Sequence, residues 1–245
     1  MTKLRRRDLL TGTALVLLQE SVARGGIVTG RLPWEPAPER AAPPPPGQWR
    51  FFTPEQAAMV EALADRLIPP DPQTPGGKDA GCAVFIDRQL AGPYGHNEGL
   101  YNRPPFVKGI KQQGPQSPVT PAELYRTGLA ALDRYCRAHA HQGGKGWVEL
   151  QPQQQDGILH GLQDGSAQLA GIDGKTFFQA VLKDVQQGFF ADPVYGGNRD
   201  MCAWKMIGFP GARYDYRDWV GRHNERYPYP PVSIAGRSDW TPKGG

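Results

Sequence analysis

Apolar positions recur at helical spacing in five stretches of the chain, and short polar signals mark where most of them begin and end. Thr53-Pro54-Glu55-Gln56 reads as a capping box with proline in the first turn, and Val60, Leu63, Ala64 and Leu67 then share one face until Pro69-Pro70 stops the helix. A shorter helix is predicted over 81–91, with Cys82, Ile86 and Leu90 on one side and Gly92-Pro93 behind it. Thr120-Pro121-Ala122-Glu123 repeats the capping box, and Leu124, Gly128, Leu132, Tyr135 and His139 follow at helical spacing. The fourth helix, over 152–162, carries Ile158, Leu159 and Leu162. The fifth, over 176–189, has Phe177, Val181, Val185 and Phe189 in register. No stretch alternates convincingly as a strand does, so the expected fold class is mostly α, an irregular helical domain with long loops.

Two regions break the helical pattern. Residues 92–119 form a long connection without a period, and loops of that length usually act or wrap a partner. After Phe190 the chain turns rich in aromatics, glycine and arginine. Tyr195, Trp204, Phe209, Tyr214, Tyr216, Trp219, Tyr227 and Tyr229 fall among few aliphatic residues and cannot all bury against a helix face. An aromatic-rich C-terminal loop region is expected, with one short helix through Trp204 and Ile207. Tyr195, Trp204, Phe209, Tyr214 and Trp219 are its candidate partner contacts, because aromatic and arginine-rich surfaces anchor protein interfaces. The competing reading is that several of these rings pack internally to hold irregular loops.

Composition narrows this picture. With 245 residues, 39% hydrophobic and 21% charged, the chain can bury a sizeable core, and 31 glycines with 25 prolines agree with a loop-rich protein. A net charge of +4, partly from the N-terminus, gives no footprint for nucleic acid. Mean hydropathy is −0.54, and no apolar run approaches 18 residues, so any contact with a membrane is expected to be indirect.

The first 23 residues read as an export signal. Basic residues precede a short apolar stretch from Leu9 to Leu18, and small residues end it at Ser21-Val22-Ala23. Arg6-Arg7-Asp8-Leu9-Leu10 fits the twin-arginine pattern, in which Arg6 and Arg7 and the apolar pair Leu9 and Leu10 address a translocase for folded cargo. The alternative is an amphipathic helix that stays attached. A proline-rich arm fills most of residues 24–48 and favours extended backbone, leaving 49–245 as a single helical domain.

Catalytic signatures are missing. There is no G-x-G-x-x-G for a dinucleotide, no C-x-x-C-H for haem, no C-x-x-C pair for zinc or iron–sulfur, and neither G-x-S-x-G nor H-E-x-x-H. No catalytic, cofactor or metal residue is therefore assigned to this chain. His139 and His141 are two apart and do not face each other on a helix, and the other histidines have ordinary structural readings. Cys82, Cys136 and Cys202 allow at most one internal disulfide, the alternative being three buried thiols.

The RRDLL leader, the FFTPEQAAMVEALADRLIPPD block with PGGKDAGCAVFIDRQL after it, PQQQDGILHGL, and above all FFADPVYGGNRDMCAWKMIGFPGA together resemble the small subunit of gluconate 2-dehydrogenase and related membrane-bound flavoprotein dehydrogenases. Gln151 in place of a Ser or Thr helix cap, and Cys202, depart from that pattern. The resemblance implies an accessory subunit beside a large FAD-bearing catalytic subunit and a multihaem cytochrome c subunit, on the periplasmic side of the cytoplasmic membrane. FAD and haem c would then belong to the partners, with substrates among sugars, polyols and sugar acids. The alternative reading is a free periplasmic module that binds carbohydrate through its aromatic loops.

Overall fold

Thr53 Oγ1 accepts the Gln56 backbone N–H at 3.2 Å while Gln56 Oε1 accepts that of Thr53 at 3.1 Å, and this reciprocal cap starts α1, Pro54–Leu67. In the computed structural model the described residues are 48–99, 103–107, 109, 110, 112, 117–139, 144–213 and 216–235, all within one compact unit. Arg6, Arg7, Leu9, Leu10, nearly all of the proline-rich arm, and Tyr214 lie outside them.

The other helices are α2 (Cys82–Ala91), α3 (Pro121–Ala138), α4 (Pro152–Asp164), α5 (Gly174–Phe190) and α6 (Cys202–Ile207). Among the described residues there is no strand, only an isolated parallel bridge between Gly211 and Val232. The mostly helical expectation holds. Asp173 caps α5 by accepting the N–H of Lys175 and Thr176, which starts that helix two residues ahead of the predicted Thr176. Gln151 replaces the usual Ser or Thr cap with half a box: its backbone N–H donates to Gln154 Oε1 at 2.9 Å.

Helix α2 is the axis of the core. Cys82, Ala83, Val84, Phe85, Ile86 and Leu90 are all buried, and the helix packs chiefly against α5 and also against α1 and α3. On α3 Gly128 and Leu132 of the predicted stripe are buried, but the stripe is centred one residue further along. Tyr125, Leu129, Leu132 and Cys136 lie deepest, while Leu124 and Tyr135 sit half-buried at the edge. Gly128 explains why: a Cβ there would stand 2.2 Å from Phe177 Cδ2, so the missing side chain admits the α5 ring. Tyr125 meets Phe52 and Phe177, each with ring centroids 6.1 Å apart.

Two buried carboxylates tie irregular backbone to this core. Asp87 on α2 has no exposed surface and accepts the N–H groups of Arg50, Phe51 and Phe52 at 2.9, 2.9 and 3.0 Å, fixing how the chain enters α1. Arg88 Nη1 donates to it at 3.0 Å. Asp184 on α5 accepts the hydroxyls of Tyr94 and Tyr125, each at 3.0 Å, and so pins the turn Pro93–His96 that follows α2. Burial raises the Asp184 carboxyl above its ordinary range, against the pull of the two tyrosine hydrogen bonds.

Candidate partner interface

The block from Asp192 to Asn198 leaves α5 by contacts that need these particular residues. Asp192 Oδ1 accepts the Val194 N–H at 3.0 Å and caps the turn Pro193–Tyr195. Gly197 passes so near α5 that a Cβ would lie 2.0 Å from the Gly188 carbonyl oxygen. Asn198, fully buried with φ +45°, donates from Nδ2 to the Ala191 carbonyl at 2.8 Å and accepts the Ala203 N–H on Oδ1 at 2.9 Å, spanning the end of α5 and the start of α6. Asp192, Gly197 and Asn198 of this block are therefore occupied in shaping the chain, whereas Tyr195 is 50% exposed.

Helix α6 divides the candidate aromatics. Trp204 is buried, donates from its indole N–H to the Phe190 carbonyl at 2.9 Å, and meets Phe209 edge-on at 5.1 Å between centroids. It holds the loop from inside. Exposed near it in the chain are Phe190 at 44%, Met206 at 49%, Ile207 at 58% and Phe209 at 44%; Phe190 is tied to Trp204 through its carbonyl, Phe209 through its ring, and Met206 and Ile207 follow Trp204 on α6, an apolar ridge grouped by these links and by chain position. Phe190, Met206 and Ile207 were not among the residues expected from sequence. The signal existed: Phe189 satisfies the buried face of α5, so Phe190 must point away, and Met206-Ile207 continue past the buried Ala203-Trp204 on one short helix.

Residues 216–235 return as a strap. Ser233 Oγ donates to Asp192 Oδ1 at 2.6 Å and the Ile234 N–H donates to Asp192 Oδ2 at 2.8 Å, while the Ala212 N–H donates to the Val232 carbonyl at 2.6 Å. Trp219 belongs here, half-buried rather than on the ridge. Tyr227 lies at the centre of its cluster, with centroids 5.2 Å from Trp219, 5.5 Å from Tyr229 and 5.8 Å from Tyr216. Arg213 stands over Tyr227 and Tyr229, and Arg222 stands 4.6 Å over Trp219, so cations already cover faces of these rings. The five proposed contacts thus separate: Tyr195 and Phe209 are exposed, Trp204 is internal, Trp219 belongs to the strap and Tyr214 lies outside the described residues.

All three cysteines are free. Cys82 and Cys136 are buried, which pushes each thiol up to about 12, and Cys202 is half-buried. Among the described residues no group of three or more His, Cys, Asp or Glu is placed to hold a metal ion. No helix among them is long and apolar enough to cross a membrane. A shallow groove of about 340 Å³ runs between α3 and α4, lined by Tyr135, Gln154, Gly157, Ile158, Gly161 and Ser166, with no carboxylate, histidine, cysteine, lysine or arginine in that lining.

This is a small helical protein whose most distinctive sequence block builds a scaffold and leaves an apolar ridge uncovered beside it. The profile of the gluconate 2-dehydrogenase subunit 3 family matches residues 54–211, and the chain belongs to that family. The matched span takes in all six α-helices of the described residues and ends at the Gly211 bridge, with the strap beyond it. Neither the curated proteins nor the solved structures provide a match.

Proposed function

We propose that this chain is the non-catalytic small subunit of a membrane-associated, FAD-dependent dehydrogenase of sugars or sugar acids, and that it docks onto the flavoprotein subunit through the Phe190–Ile207–Phe209 ridge. The observation that carries this reading is the coincidence of family and surface: the matched span ends in the scaffold that presents the ridge. A monomer leaving four large apolar side chains grouped with one buried tryptophan gains by covering them. In this reading FAD and haem c reside in the large subunit and in a multihaem cytochrome c subunit. This chain contributes assembly, stability and the leader, with Arg6 and Arg7 directing the folded pair through the twin-arginine translocase to the periplasmic side of the membrane.

The carbohydrate-module alternative needs open ring faces to stack on sugars, and Arg213 and Arg222 lie over the strap rings that would serve. The test is co-purification on a tagged chain, followed by an absorption spectrum. Flavin and haem bands in the eluate support the subunit reading. A chain that elutes alone from cells producing the active dehydrogenase overturns it. Arg6→Lys with Arg7→Lys keeps the charge and should strand both chain and flavoprotein in the cytoplasm; normal export of the flavoprotein would rule out the carrier role alone.

A further inference from the structure

Cys82 and Cys202 are the first residues of α2 and α6, and the segments before them are stitched together. The Arg199 N–H donates to the Ala80 carbonyl at 3.0 Å. Gly81, with φ +82°, passes so close to the 196–199 turn that a Cβ would lie 2.6 Å from the Gly196 carbonyl oxygen and 3.5 Å from Arg199 Nη2. Cys202 packs against the buried cluster that contains Cys82, and it is near enough that its thiol adds to burial in raising that of Cys82. Cys136 lies on α3, with Asp133 and Arg137 as its charged neighbours.

We propose that Cys82 and Cys202 are a redox pair that closes to a disulfide on meeting a disulfide oxidant, clamping the start of α2 to the start of α6, while Cys136 stays a thiol. Accessibility assigns the roles. Cys202, half-buried with its thiol 3.8 Å from Asn198 Oδ1, is the sulfur an oxidant can reach. Its thiolate attacks one sulfur of the oxidant RS–SR, expels RS⁻ and leaves a mixed disulfide. Cys82 then loses its proton and attacks the Cys202 sulfur, expelling the second RS⁻. Two protein thiols become one disulfide, and the two electrons and two protons leave on two RSH. The bond would join the core helix to the scaffold of the ridge, and its formation does not depend on the partner reading.

The test uses purified full-length chain and oxidised glutathione. The expected product has lost two of its three free thiols, is lighter by two hydrogens and yields a linked peptide containing Cys82 and Cys202. Cys136→Ala should behave identically. Cys202→Ala should leave both remaining thiols unreacted in the folded chain, and Cys82→Ala should retain one glutathione on Cys202. Oxidised wild type should also unfold at higher urea than reduced wild type, with no such difference in Cys202→Ala. Lasting glutathione on Cys202 in the wild type, a link through Cys136, or three thiols that react only after unfolding would each overturn the proposal.

Discussion

The body built from α1 to α5 and the region after Phe190 solve the same problem in opposite ways. In the body, apolar residues at helical spacing meet on a common core, and backbone polar groups are satisfied within helices. Past Phe190 the described residues hold one six-residue α-helix and short 3-10 turns, and single side chains hold the chain: Asp192, Asn198, Trp204, and glycines where backbone meets backbone. Within α1 to α5 periodic packing leaves Phe190, at the last position of α5, as an exposed large apolar side chain, and Val107, Ile110, Val119 and Val148 are exposed in the connections. Past Phe190, point anchoring leaves Met206, Ile207 and Phe209 outside. The body holds most of the buried core, and the anchored region holds exposed apolar side chains that the core does not cover.

The contrast is broken most severely at Asp87. Asp87→Ala orphans three backbone N–H groups and the buried side of Arg88, for an expected loss of about 4 kcal/mol in urea unfolding. A loss under about 1 kcal/mol would mean that this carboxylate does not organise the entry to α1. Trp204→Ala removes a buried indole and is expected to cost about 3 kcal/mol, which would place it with the core although it lies in the anchored region. Asp192→Ala should cost about 2 kcal/mol and act locally. Trypsin should then cut faster at Arg217 and Arg222 while helical circular dichroism is unchanged; equal loss of helix would show that strap and body unfold as one.

The smallest effect concerns pH. Because folding raises the Asp184 carboxyl above its ordinary 3.8, the folded state holds a proton that the unfolded state has released, so stability from this group falls as pH rises from about 3.8 through the raised value. Asp184→Asn should flatten that part of the stability profile relative to wild type, provided the tyrosine contacts survive. An identical slope in both proteins would remove the claim that this site is strained by its charge.

Much of the body is readable from local signals. Capping boxes at Thr53 and Thr120 mark α1 and α3 to the residue, and proline or glycine ends α1 and α2, because these signals act within one turn. The inner stripe of α3 is readable only in part: Gly128 and Leu132 fall on it, but Tyr125 is bonded to Asp184, 59 residues away, and Gly128 faces a ring on another helix. The split between Trp204 and Phe209 is hidden for the same reason. Only the Phe190 carbonyl, brought alongside by Gly197 and Asn198, shows which of the two rings has a partner inside.

The central claim is that the ridge binds the flavoprotein while contributing little to the fold. Met206→Ser with Ile207→Ser tests it, since both side chains are about half exposed or more. The tagged double variant, produced together with the dehydrogenase, is passed over a sizing column with flavin absorbance and thermal unfolding both recorded. The account predicts that flavin no longer elutes with the chain, an interface loss of about 2 kcal/mol or more, while its melting temperature stays at the wild-type value. Flavin still eluting with the variant, or lost only together with a matching fall in melting temperature, would contradict it.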